Sequence, residues 1–196
     1  MTTEFLIALA GFALASSITP GPNNLMLMAS GANFGFRRTV PHMLGISAGF
    51  GLMVFLVGVG LAQLFVAHPI IKQGMTVLSV AYMTWLAWKI ATAAPVQSGQ
   101  DVGKPFTFWQ AAAFQWVNPK AWAMGLTAVT TYAYADTTSA MLVVALVFSA
   151  INLPSVSVWT IAGQQIKRIL SKPTHLRAFN FTMAALLLAS MALVLL

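Results

Sequence analysis

Six apolar runs, at about residues 5 to 33, 40 to 66, 70 to 93, 107 to 134, 138 to 164 and 175 to 196, leave little of this chain able to face water on every side. A bilayer's hydrocarbon core of about 30 Å needs about 20 mostly apolar residues per helical crossing, and each run is long enough. Only 10 basic and 3 acidic side chains are spread over 196 residues, so no stretch is polar enough to form a separate soluble domain. The expected fold class is an all-α membrane protein, with one transmembrane domain filling residues 1–196. Glu4 stands near the start with no Lys or Arg beside it, so the first run lacks a signal peptide's basic flank and reads as a retained helix.

The net charge of +7 would suit nucleic acid if it lined one solvated face, but the basic residues sit in short linkers between the runs. Orientation explains them better. The first linker holds Arg37 and Arg38, the third is flanked by Lys89 and Lys104, and the fifth holds Lys167, Arg168, Lys172 and Arg177, eight of the ten basic residues. The positive-inside rule then puts linkers one, three and five in the cytoplasm and both termini outside. Trp85, Trp88 and Trp109 fall where cytoplasmic-side interface anchors are expected. Tight turns are expected at His68 and Pro69 and at Asp136.

The longest polar linker, Ala94 to Pro105, splits the chain into halves of about 1–95 and 104–196, three spans each. Three is odd, so the halves face opposite ways, the plan of a 3+3 inverted repeat with its site near the bilayer midplane. The first span of each half is interrupted, at Pro20 and Pro22 and at Asn118 and Pro119, although little residue identity links the halves. Proline lacks an N–H, so these three prolines would release the carbonyls of Ser16, Ile18 and Gln115. Hydrocarbon cannot satisfy them, and such backbone persists at membrane depth only where protein buries it or water reaches it.

The half-helix starting near Asn23 would present free N–H groups and a positive dipole end, which attract a carboxylate. Thr19, Asn23 and Asn24 add a hydroxyl and amides, and the released carbonyls suit an ammonium group; together they could hold a zwitterion. In the second half, Gln115, Asn118 and Lys120 contribute polar groups, with Trp116 and Trp122 as walls. Lys120 lies about 13 residues into its run, some 20 Å of helix, and is expected to line water or meet a partner. The rival readings are a plain proline kink and a Lys120 that snorkels to the interface.

GISAG at Gly45 to Gly49 matches the G-x-S-x-G pattern, yet it lies in an apolar helical run rather than at a strand-to-helix elbow. His42 is near it, but no carboxylate lies in either adjoining span. Gly45 and Gly49 fit close helix packing instead, with Gly51, Gly58 and Gly60 extending the small-residue face, which suits a homodimer.

TPGPN in the first span, GFRR and a glycine-rich second span, and NPKAW in the fourth together resemble the LysE/RhtB family of amino acid exporters, over the whole chain. SVAYMTWLAWKIATA and FWQAAAFQWVNPK look most like the branch that exports cysteine and O-acetylserine. The resemblance implies efflux of amino acids or close derivatives across the bacterial inner membrane without ATP hydrolysis. It places the family motif on Pro20, Gly21, Pro22 and Asn23 and on Asn118, Pro119 and Lys120, with Gly35 and Arg37 matching the first-linker pattern. Ala111 departs from it, standing where many relatives carry glycine.

No Walker A pattern is present, and Glu4, Asp101 and Asp136 fall at ends or in linkers. Lys120 or His42 could carry a proton, or the substrate could leave down its own gradient. The expected activity is secondary transport by alternating access, with substrate and lipid as partners, no nucleic acid and no cofactor. The absence of cysteine removes disulfides and thiolate metal sites, and a metal exporter would want carboxylates or several histidines in its spans. A membrane scaffold, in which broken helices serve only packing, is the rival from another class.

Overall fold

A computed structural model describes residues 2–61, 63, 67–92, 104–133, 137–169 and 173–195, and among these every regular element is helical. The first apolar run forms α1 (Thr3–Ile18) and α2 (Pro22–Phe34). The second forms α3 (Phe36–Leu56), which runs on into a π-helical turn at Val57–Leu61. Then come α4 (Pro69–Ala91), α5 (Phe108–Phe114) with a 3-10 turn at Gln115–Val117, α6 (Pro119–Tyr132), α7 (Thr138–Ile169) and α8 (Pro173–Leu195).

Among the described residues, α3 with its π turn (Phe36–Leu61) and α7 over Thr138–Ile166 are long and apolar enough to cross a bilayer. α1 and α2 make a third crossing when taken as one span bent by 57°. The chain is thus a multi-pass membrane protein with two or three evident crossings, fewer than the six apolar runs. One reason lies in the fourth run, where Asn118 separates helices of 7 and 14 residues, each too short to span alone. The turn expected at Asp136 and most of the Ala94 to Pro105 linker lie outside the described residues.

The breaks follow from the residues before proline, which are pushed out of the α region by the pyrrolidine ring. Thr19 adopts φ −65°, ψ 145°, Gly21 is fully extended, and Asn118 adopts φ −92°, ψ 107°. Pro41 and Pro154, by contrast, lie inside α3 and α7 without ending them.

α2 lies along α7, α3 packs against both α7 and α5, α1 rests on α7, and α4 pairs with α8. Close approach depends on missing side chains. A Cβ on Gly31 would strike the Thr160 carbonyl and one on Gly163 the Met28 carbonyl, so α2 and α7 meet backbone to backbone. Gly45 and Gly49 do the same for α3 on α5, where a Cβ would meet the Phe108 carbonyl oxygen and Ala112. Ala111 is buried beneath Gly45, and Gly51 and Gly58 face Ser149 and Met141. These glycines pack within the chain, which removes most of the face on which a homodimer was expected.

Two apolar cores flank the breaks. One gathers Leu9, Ala13, Phe50, Val54, Ala128 and Phe148 around α1, α3, α6 and α7. The other gathers Leu25, Met83, Leu86, Phe114, Met183 and Leu187 around α2, α4, α5 and α8. Trp85, Trp88 and Trp109 are exposed, the last by 77%, as interface anchors would be.

Candidate functional site

The two breaks meet. Lys120, the second residue of α6, extends its ammonium into the first break, where Nζ donates to the Thr19 carbonyl at 2.7 Å, Thr19 Oγ1 at 2.9 Å and the Pro20 carbonyl at 3.1 Å. Gly21 makes this possible by having no side chain, since a Cβ there would collide with the Lys120 stem. Its extended backbone needs no glycine; the space does. A second bridge joins Asn23 and Gln115, whose amides exchange hydrogen bonds, Asn23 Nδ2 to Gln115 Oε1 at 2.8 Å and Gln115 Nε2 to Asn23 Oδ1 at 3.1 Å. Gln115 is fully buried, and its Nε2 also donates to the Ala111 carbonyl at 2.9 Å.

A helix end leaves its last four carbonyls without intrahelical partners, and at α1 the protein supplies each one. Ala15 accepts from the Thr19 N–H, Ser16 from the Thr19 hydroxyl at 2.8 Å, Ser17 from Asn24 Nδ2 at 2.8 Å and Ile18 from the Trp159 indole at 3.1 Å. The Gln115 carbonyl accepts from the Asn118 N–H at 3.3 Å. The three carbonyls that proline releases are therefore taken up by the protein. The acceptors that face an ammonium group are instead those of Thr19 and Pro20, within the break itself.

The helix starts differ. Asn118 caps α6 through Oδ1, which accepts from the Lys120 N–H at 3.2 Å. No side chain among the described residues caps α2, whose N-cap is Gly21. The first turn of α2, at Asn23 and Asn24, thus offers backbone donors and the positive end of the helix dipole beside a half-buried lysine.

A small cavity of about 20 Å³ lies at this junction, lined among others by Ser17, Asn23, Asn24, Asn118, Lys120 and Asn152. That is room for about one water. Of the residues expected to form the site, Thr19, Pro20, Gly21, Asn23, Asn24, Gln115, Asn118 and Lys120 converge here, while Pro22 and Pro119 each open the following helix. Trp116 and Trp122 do not wall the cavity; their rings meet edge to face at 6.1 Å and Trp122 Nε1 donates to the Trp116 carbonyl. Lys120 thus reaches across from the second break to the first.

The contribution of α7 was missed from sequence. Asn152 donates to Ser17 Oγ at 3.2 Å and accepts from Ser47 Oγ at 3.0 Å, and Trp159 holds Ile18. The available signal was an asparagine in an apolar run, which needs a partner wherever the helix packs. Ser47, of the G-x-S-x-G pattern, is spent in this chain of hydrogen bonds.

Residues 14–196 match the family described as LysE type translocator. The chain is also similar to curated proteins named cysteine/O-acetylserine efflux protein. That of Escherichia coli O139:H28 (strain E24377A / ETEC) is 33% identical over 191 residues, 96% of each chain. Those of Escherichia coli (strain K12) and Shigella sonnei (strain Ss046) are 33% identical over 190 residues, 95% of each chain. No solved structure matches.

Proposed function

Because this chain belongs to the LysE type translocator family, whose members are transporters and not enzymes, we propose that it exports amino acids or close derivatives, cysteine and O-acetylserine among them, across the bacterial inner membrane. The observation that carries this reading is the Lys120 ammonium seated on the Thr19 and Pro20 carbonyls beside the uncapped start of α2. An α-amino acid bears the same two complements, an ammonium for the carbonyls and a carboxylate for the helix start. Its ammonium takes the acceptors that Lys120 holds, and the released lysine joins the α2 N-terminus around the carboxylate. The cavity of about 20 Å³ has no room for that ligand, so the two breaks must part to admit it.

Transport then proceeds by alternating access between two three-helix units, residues 1–95 and 104–196, related as an inverted repeat. In support, α1 packs on α7 as α5 packs on α3, the pairing that exchange of the halves produces, and the α3–α7 and α4–α8 pairs each map onto themselves. The halves differ at the junction, where α2 covers α7 far more extensively than α6 covers α3. Linkers one, three and five face the cytoplasm and both termini face outward, a reading supported by the distribution of basic residues.

The test replaces Lys120 with Met and Asn23 with Leu, separately, in cells that accumulate O-acetylserine. Each variant, present in the membrane at the wild-type level, should export at least about tenfold more slowly, as expected for loss of a hydrogen bond to a charged group. Unaltered efflux by both variants would reject the site.

A further inference from the structure

The amides that line the junction differ in what they leave open. Asn23 and Gln115 spend their side-chain oxygens and nitrogens on each other. Asn24 and Asn118 instead turn one end of the amide to the backbone, which fixes what the other end can do. Asn24 Nδ2 donates to the Ser17 carbonyl at 2.8 Å and the Thr19 carbonyl at 2.7 Å, using both of its hydrogens, so Oδ1 is the free end. Asn118 Oδ1 accepts from the Lys120 N–H at 3.2 Å, so the NH2 is the free end.

Neither free end has a hydrogen-bond partner among the described residues. Asn24 is 3% exposed and Asn118 2%, and both line the cavity of about 20 Å³. Among the described residues, the unpaired side-chain atoms that are wholly closed off are the two His42 nitrogens, so Asn24 Oδ1 and Asn118 Nδ2 each keep an opening beside that cavity. Buried polar atoms in folded proteins are nearly always paired, and two open ends on one cavity point to a ligand that pairs them.

Their surroundings give the two ends different tasks. Asn24 Oδ1 adjoins the Thr19 carbonyl, which its own amide nitrogen bridges, and so extends the cradle of acceptors that suits an ammonium. Asn118 Nδ2 belongs to the α6 wall, where Ala121 and Met124 follow at steps of three residues and line the cavity with it. Phe50 of α3 and Val156 of α7 add further apolar surface. A lone donor amid apolar groups matches an acceptor atom carried by an otherwise apolar chain. No carboxylate stands among the described lining residues to balance a cationic side chain.

We propose that Asn118 is a specificity-determining residue of the export site: its Nδ2 donates to a hydrogen-bond acceptor in a short, uncharged substrate side chain, such as an ester carbonyl, whose carbon atoms pack on Ala121, Met124, Phe50 and Val156. The proposal rests on the reading of the chain as an amino acid exporter and adds the part of the substrate beyond its ammonium and carboxylate. The subsite widens as the two breaks part, as they must for the rest of the ligand.

The test follows exchange of radiolabelled O-acetyl-L-serine in proteoliposomes, with unlabelled O-acetyl-L-serine or L-norleucine as competitor. Norleucine matches the side chain in length and lacks the ester oxygens. The wild type should be inhibited by O-acetylserine at about a tenfold lower concentration than by norleucine, the equivalent of one hydrogen bond. Asn118→Ser keeps a capping oxygen and has no amide donor, so it should erase that preference and leave inhibition by norleucine where it was. Equal inhibition of the wild type by both competitors, or a preference that survives N118S, would overturn the proposal. So would an N118S that weakens both competitors alike, which would assign the amide to the carboxylate or to packing. Should N118S fail to accumulate, Asn118→Asp takes its place, keeping the capping oxygen without the donor, and the wild-type comparison stands by itself. Exchange by the wild type separates the two readings: exchange without preference removes only the side-chain subsite, whereas no exchange of any amino acid removes the transport reading itself.

Discussion

The two helix breaks face each other with opposite chemistry. The first, Thr19 to Gly21, presents acceptors: the Thr19 and Pro20 carbonyls turn toward Lys120, and the helix that follows starts without a side-chain cap. The second is self-contained. Asn118 closes its own helix start, the Gln115 carbonyl is taken by the Asn118 N–H, and the break exports a cation on Lys120 and an amide on Gln115. A matched pair of prolines thus does not make a matched pair of sites. One break supplies the cradle and the other supplies the groups that fill it, so a ligand that carries its own ammonium competes with the protein's.

Three substitutions would break or sharpen that contrast. The largest effect is expected from Gly21→Val, whose side chain takes the space of the Lys120 stem and forces the ammonium off its carbonyls. Losing a charge-assisted hydrogen bond costs up to about 3 kcal/mol. The variant should therefore export as poorly as K120M and unfold at a lower temperature in detergent; wild-type efflux from G21V would show that the cradle does not need the lysine. Next comes Gln115→Leu, which leaves the Asn23 amide facing an apolar group at a cost of about 2 kcal/mol. Adding Asn23→Leu should recover part of that loss, because two apolar partners leave no amide of the bridge unpaired; a thermal-melt cycle in which the two losses simply add would mean that the amide bridge carries no coupling. The smallest effect belongs to Asn118→Ala, the loss of a helix cap, about 1 kcal/mol. A melt shift larger than that of Q115L would show that the second break is not self-contained.

The breaks themselves were legible because proline acts locally. Its ring forces the preceding residue out of the helix and its nitrogen carries no proton, whatever the fold around it. Yet the same chemistry at Pro41 and Pro154 leaves α3 and α7 continuous. Val40 and Leu153 precede those prolines and carry no polar group to cap a break, whereas Thr19 bonds the Ser16 carbonyl and Asn118 caps the Lys120 N–H. Flanking amides and hydroxyls, rather than proline alone, were the useful signal. The expectation that proline-released carbonyls would receive an ammonium failed for a related reason. Thr19 and Asn118 satisfy the Ser16 and Gln115 carbonyls from close by in sequence, but Trp159 reaches Ile18 from α7, more than a hundred residues away.

From the residues alone came the membrane class, the positions of both interruptions and the polar groups beside them, since hydropathy and backbone dihedral limits operate over a few residues at a time. Tertiary structure decided which groups meet: that Lys120 crosses to Thr19 and Pro20, that Asn23 pairs with Gln115, and that α7 contributes Asn152. Such contacts depend on how far one helix is rotated and slid against another. Backbone-to-backbone contacts at Gly31, Gly45, Gly49 and Gly163 set that geometry, and those partners exist only once the helices have packed.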